Sequence, residues 1–178
     1  MSEQNTIPWS KDYFLKWSDF LAESNPSVFE DSYSFIKYRF TWTVTSENFG
    51  QDIKFAIKDI HLSPEFHRQL SWVRMPMATD VLLNHEQGHF DLAELLHSDI
   101  AEKISNVFEN NWYMTRGQND EQRKQFARED SGIMIATELD KWEQFIREKH
   151  QEYDHQTNFG ANAEKQSEYD ATFRQLHI

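Results

Sequence analysis

Hydrophobic and polar residues alternate in two runs within the amino-terminal third of the chain. The first run covers residues 34–45, and its hydrophobic members share one side of an extended chain: Ile36, Tyr38, Phe40, Trp42 and Val44. In the second run Ile53, Phe55 and Ile57 alternate with lysines, after the turn-like segment SENFGQD. This pattern predicts two strands of a small antiparallel sheet.

Beyond the second run the hydrophobic spacing changes to three and four residues, which predicts helices. Thr79 or Asp80 is placed to cap a first helix that ends near Asn110. A second long helical pattern covers about residues 119–153, with Gly132 placed to break it, and a shorter pattern follows residue 160. The sequence therefore predicts an α+β fold in which a small amino-terminal sheet packs against long helices.

The size and composition fit one folded domain over residues 1–178. The chain has 38% hydrophobic residues and no cysteine, which excludes disulfides, thiolate metal ligands and a cysteine nucleophile. Its 18 basic and 30 acidic residues give a formal net charge of −12, which argues against nucleic acid and anionic membrane surfaces as partners.

The amino terminus carries no basic segment followed by an apolar one and no apolar stretch of membrane-spanning length. We therefore expect a cytoplasmic protein without a membrane segment. A secreted form whose signal peptide has been removed has the same appearance.

The candidate chemistry lies on the first predicted helix, in the pentapeptide HEQGH of residues 85–89. Residues four apart on a helix project from one face, so His85 and His89 can reach one metal ion. Glu86 lies about 100° further round, where it can accept a proton from a metal-activated water. Gly88 costs about 1 kcal/mol relative to alanine in a helix, which predicts that another backbone or a substrate approaches closely there.

The histidines also fall on one apolar seam of this helix. The seam consists of positions at helical spacing: Leu82, His85, His89, Leu92, Leu96 and Ile100. Imidazoles buried in such a seam need polar partners, which favours metal binding. The alternative is a pair of core histidines that bind backbone groups.

Several segments, in this order, resemble one bacterial family. They are LKWSDF (residues 15–20), SWVR (71–74), NHEQGHFDLAEL (84–95) and YDHQTNFGANAEKQSEYD (153–170). The chain resembles, from about residue 15 to its end, the family of unknown function numbered 922, whose members are described as predicted zinc-dependent proteases. The resemblance implies a zincin-like metallopeptidase domain, Zn²⁺ as cofactor and a peptide or protein substrate.

The later block of this family has the form Y-D-x-x-T-x-H-G, and it departs from this chain at one position. Tyr153, Asp154, Thr157 and Gly160 match it, whereas Phe159 stands in place of the histidine. A catalytic zinc normally takes three protein ligands, so a third is needed beside the two histidines. The resemblance makes Asp154 the first candidate.

Two further candidates for the third ligand remain open, His155 and Glu109. His155 is the neighbour of Asp154, and Glu109 follows His89 by the spacing that glutamate-liganded zincins use. Asp154 has an alternative role as a turn acceptor after the helix. Tyr153 can donate a hydrogen bond to the oxyanion of the reaction, or it can be a core residue.

These residues predict a zinc peptidase that hydrolyses peptide bonds with an activated water and Glu86 as the general base. Two alternatives remain. Because of Phe159, the chain can instead be a non-catalytic metal-binding or interaction module. A purely structural zinc would require four protein ligands and no open position.

Overall fold

The computed structural model describes residues 4–178 and has a mixed α+β architecture. The strands, in chain order, are β1 (Thr6–Pro8), β2 (Ser32–Tyr33), β3 (Ile36–Phe49), β4 (Asp52–His67), β5 (Trp72–Val73) and β6 (Tyr113–Met114). The helices are α1 (Asp80–Phe108), α2 (Asp120–Asp140), α3 (Glu143–Thr157) and α4 (Ala163–Arg174). No helix among the described residues is long and apolar enough to span a membrane.

The two predicted strands are present and are longer than the alternation suggested. β3 and β4 are neighbours in a sheet of order β1–β4–β3, and β6 also pairs with β4. β1 pairs antiparallel with the end of β4, with Ile7 opposite Phe66. β2 and β5 form a separate two-stranded ladder in which Ser32 lies opposite Val73.

The alternation of β4 is interrupted at Asp59, which adopts a left-handed φ of 53°. Before this residue the odd-numbered Phe55 and Ile57 are buried, whereas after it the even-numbered Ile60 and Leu62 are buried. A shift of one residue exchanges the two faces of a strand. The sequence pattern therefore ended near residue 58 although the strand continues.

The first helix has the predicted extent. Thr79 caps it, since the Thr79 hydroxyl accepts from the backbone N–H of Leu82 at 3.2 Å. The single-seam prediction is too narrow, because residues 85–93 are buried all round the helix except for half-buried His89.

The second long pattern is divided at residues 141–142, so the prediction of a break at Gly132 is wrong. Gly132 lies inside α2, where a Cβ atom would be 3.2 Å from the ring of Trp42. Because a larger side chain at this position would crowd the Trp42 ring, a glycine is accommodated here inside a continuous helix. The helix starts where the pattern predicted, with Asn119 as its N-cap.

The chain divides into two compact units. The first consists of Met1–Arg39, Ser63–His97 and Phe145–Ile178, and the second of Phe40–Leu62 and Ser98–Gln144. The single domain over residues 1–178 stays a prediction. The first unit contains a core of Leu15, Phe20, Phe66, Val73 and Phe90, and it contains every residue of the candidate site described below.

Candidate metal centre

Three side chains of the first unit converge on one point. Asp154 Oδ1 on α3 lies 2.9 Å from His85 Nε2 and 2.8 Å from His89 Nε2 on α1. The three donor atoms lie within 4.8 Å of one another, and among residues 4–178 this is the one such group of three or more metal-ligating side chains. Side-chain exposure rises from 1% for His85 to 12% for His89 and 25% for Asp154, so the group opens on the side of Asp154.

A chain of hydrogen bonds fixes the orientation of His85. The Tyr153 hydroxyl donates to the His85 backbone carbonyl at 2.9 Å, so its oxygen accepts from Gln166 Nε2 at 2.9 Å. The second hydrogen of this amide goes to Asp170 Oδ1 at 2.9 Å. The carbonyl oxygen of Gln166 therefore faces His85 Nδ1 at 3.0 Å and accepts its hydrogen.

This assignment leaves a lone pair on His85 Nε2, the atom that faces Asp154. A lone pair and a carboxylate oxygen 2.9 Å apart repel each other unless a proton or a cation lies between them. Two imidazole nitrogens and one carboxylate oxygen are also a ligand set that zinc accepts. The donor set therefore fits a divalent cation.

His89 has a different partner on its outer side. Its Nδ1 lies 2.9 Å from Nδ1 of His150, which is on the same helix as Asp154 and one turn before it. Although burial opposes protonation, the hydrogen bond and charge of Asp154 raise the pKa of His89. Burial, and then the neighbouring His89, lowers the pKa of His150 to about 3, which keeps this ring neutral.

The carboxyl group of Asp154 is held in its ionised form. Burial opposes this, but the contacts and charges of the neighbouring His85 and His89 rings bring the pKa of Asp154 well below its usual range. The site therefore presents a carboxylate at neutral pH, as a metal ligand requires.

Glu86 is only 3% exposed, and both of its carboxylate oxygens accept hydrogen bonds from serines. Ser32 donates to Oε1 at 2.5 Å, and Ser34 donates to Oε2. These hydroxyls, from β2 and the residues directly after it, supply the contacts that a buried carboxylate needs. Glu86 is thus held in place by these two serines, and its role as a base stays a prediction.

Tyr153 is fully buried, and its ring stacks on that of His85 at a centroid distance of 4.6 Å. Its hydroxyl hydrogen points to the His85 carbonyl and not to the open side of the site. This arrangement favours the core role of Tyr153 over the predicted oxyanion donor. The group that approaches Gly88 is this side chain and not a backbone as predicted, since a Cβ atom at Gly88 would be 2.0 Å from the Tyr153 hydroxyl.

The other candidate ligands do not join the group. His155 and Glu109 are both exposed. Phe159 has a left-handed φ of 53° and packs edge-on against Phe29, with 5.2 Å between ring centroids. Gly160 follows it with a φ of 89°, where a Cβ atom would be 2.9 Å from the His85 Cβ.

Sequence reasoning missed four polar residues around the ligands: Ser32, Ser34, His150 and Gln166. Three of them had a signal. His150 precedes Asp154 by four residues, the same helical spacing that relates the two motif histidines, and the serines are two apart as on one side of a strand. Gln166 lies 81 residues from His85 and had no such signal.

No known protein family, curated protein or solved structure matches this chain. The resemblance to the bacterial family of predicted zinc-dependent proteases therefore stays a prediction.

Proposed function

We propose that this chain is a zinc-dependent peptidase with a zincin-like site, in which His85, His89 and Asp154 hold the metal. The observation that carries the proposal is the hydrogen-bond chain from Tyr153 through Gln166. It turns the lone pair of His85 Nε2 toward Asp154 Oδ1 at 2.9 Å, an arrangement that calls for a positive charge between them. The resemblance of residues 84–95 and 153–170 to the family supports the same conclusion.

Glu86 is the proposed general base. When bound, zinc lowers the pKa of a coordinated water and polarises the scissile carbonyl group. Glu86 would accept a proton from the attacking water and deliver it to the leaving amine. Ser32 and Ser34 hold the carboxylate, and each of its oxygens keeps a second lone pair with which to accept the water's hydrogen.

The runner-up is a non-catalytic metal-binding module. It is favoured by the 3% exposure of Glu86, because a base must reach water, and by Phe159 at the family's histidine position. A purely structural zinc is less well supported. The Asp154 side chain is 25% exposed, so the group is open on that side, whereas a structural site needs a fourth protein ligand.

The proposal is tested with protein purified without chelators or a histidine tag. We expect close to one zinc per chain, and loss of this zinc in Asp154→Ala. Zinc well below one per chain in the unaltered protein would contradict the metal site.

Catalysis is then tested with Glu86→Gln, assayed against a mixture of peptides. We expect this variant to keep its zinc and to lose peptidase activity, whereas the same change at exposed Glu109 leaves activity intact. Peptidase activity that survives Glu86→Gln would exclude Glu86 as the base. Zinc-loaded protein without activity on any peptide would favour the non-catalytic module.

A further inference from the structure

His89 and His150 contact each other through the same ring atom, Nδ1, so the hydrogen positions on the two rings depend on each other. The two Nδ1 atoms are 2.9 Å apart, and the ring planes are within 19° of parallel. A hydrogen bond between them needs one hydrogen on one of the two nitrogens. We propose that His150 is a positioning residue that accepts this hydrogen, so that Nε2 of His89 is free to bind zinc. This inference rests on the proposed zinc site.

The pair has two neutral arrangements. In one, His150 donates from Nδ1, and the hydrogen of His89 is on Nε2, where it points to Asp154 Oδ1 at 2.8 Å and closes the site to metal. In the other, His89 donates from Nδ1, and its Nε2 carries a lone pair. The first suits the metal-free protein and the second the zinc-bound protein.

The change from the first arrangement to the second conserves protons. His89 Nε2 releases one proton, the Nδ1 proton of His150 moves to His89 Nδ1, and His150 Nε2 takes up one proton from solvent. Zinc thereby replaces a hydrogen at His89 without any change in the charge of the two rings. A carboxylate in place of His150 would instead add a negative charge beside Asp154 and Glu86.

The two proposed zinc-binding histidines therefore differ in the group that accepts the hydrogen of their Nδ1 atom. The acceptor of His85 is the Gln166 carbonyl, whose orientation is locked because both amide hydrogens are given to Tyr153 and Asp170. The acceptor of His89 is an imidazole that can exchange donor and acceptor roles. The lone pair of His85 Nε2 is thus always free to bind a metal ion. The lone pair of His89 Nε2 is free only after the tautomer of His150 changes.

Imidazole nitrogen-15 NMR reads these tautomers directly in metal-free and zinc-loaded protein. In the zinc-loaded form we expect His89 protonated on Nδ1 and His150 protonated on Nε2. Zinc affinity, measured by competition with a chromophoric chelator, provides the second measurement. His150→Leu removes the acceptor and should weaken zinc binding about 10- to 100-fold, the loss that is typical when a hydrogen-bond partner of a zinc-binding histidine is removed.

His150→Asn is the conservative variant, because its side-chain oxygen can take the place of Nδ1 and should restore most of the affinity. His155→Leu is the matched control on the same helix, since His155 is exposed and outside the site, and should leave affinity unchanged. If His150→Leu does not fold, the Asn variant and the NMR spectra decide.

Two results would overturn the role of His150: a hydrogen on its Nδ1 in the zinc-loaded protein, or unaltered zinc affinity in folded His150→Leu. A different result, no zinc binding by the unaltered chain, would overturn the proposed function and this role with it. Neither the NMR spectra nor the zinc affinity depends on peptidase activity. Failure of the His150 role can therefore be distinguished from failure of the proposed function.

Discussion

Gly88 offers a stringent test of the described site, because it lies between the two histidines on α1 and a methyl group there has no room. An added Cβ would be 2.0 Å from the Tyr153 hydroxyl oxygen, 2.7 Å from Cζ and 3.2 Å from Phe173 Cε2. The two nearest atoms belong to the Tyr153 ring, which is fully buried and stacked on His85 and therefore has no room to rotate aside. Gly88→Ala must therefore displace Tyr153.

The expected cost has three parts. Overpacking a closely packed core typically costs about 1–3 kcal/mol. Displacement also breaks the Tyr153 hydrogen bonds to the His85 carbonyl and to Gln166, at about 1 kcal/mol each. Alanine returns about 1 kcal/mol of helix propensity. The free energy of unfolding should therefore fall by about 2–4 kcal/mol.

Urea denaturation measures this loss, with Gly132→Ala as the matched control. Gly132 is also inside a helix, but its added Cβ would only approach two carbons of Trp42 at 3.2 Å. We expect Gly88→Ala to lose more stability than the control. Because Gln166 loses the Tyr153 hydroxyl that orients its amide toward His85, the variant should also bind zinc more weakly. A Gly88→Ala protein as stable as the unaltered chain would refute the packing and the hydrogen-bond chain together.

Three further predictions concern the charges of the site. Zinc at 100 times its dissociation constant should stabilise the fold by about 2.7 kcal/mol, so an unchanged melting temperature on zinc addition would contradict binding. Protons compete with zinc at the imidazoles, and because the pKa of His89 is raised, zinc affinity should already decline as pH falls from about 8 to about 6. A titration with the same dissociation constant across this range would contradict it. Replacing Ser32 and Ser34 by alanine strips the donors from buried Glu86 and should cost about 1–3 kcal/mol each in urea denaturation. Exposed Ser98→Ala is their control, and equal stability of all three variants would contradict the role of the hydroxyls.

Local patterns predicted the elements that have a regular period and a defined start. Thr79 and the three- to four-residue spacing placed α1 to within about two residues, and alternation located the start of both long strands. The same patterns failed where tertiary packing outweighed the helix propensity of a single residue. Gly132 is a weak helix former, but its cost of about 1 kcal/mol is small beside close contact with Trp42.

The candidate site was only partly predictable, for a similar reason. Helical spacing alone could bring together His85 and His89, because their proximity is local. Asp154 is 69 residues from His85, and Ser32 is 54 residues from Glu86, so these contacts depend on how the elements pack. Asp154 was nominated by the family resemblance and not by periodicity.

The contacts around the three donor atoms also distinguish this arrangement from two buried histidines that merely satisfy each other. A structural pair needs one donor and one acceptor at each contact, and the Nδ1 atoms of His85 and His89 meet that need with Gln166 and His150. Both Nε2 atoms, however, face the same oxygen, Asp154 Oδ1. With His85 Nδ1 committed as a donor, a neutral His85 has no hydrogen left for that oxygen. In the neutral metal-free site His89 Nε2 can give a hydrogen to that oxygen, but the lone pair of His85 Nε2 still faces it. A divalent cation would contact both nitrogens and the carboxylate at once. The arrangement could therefore hold a metal ion, as we propose.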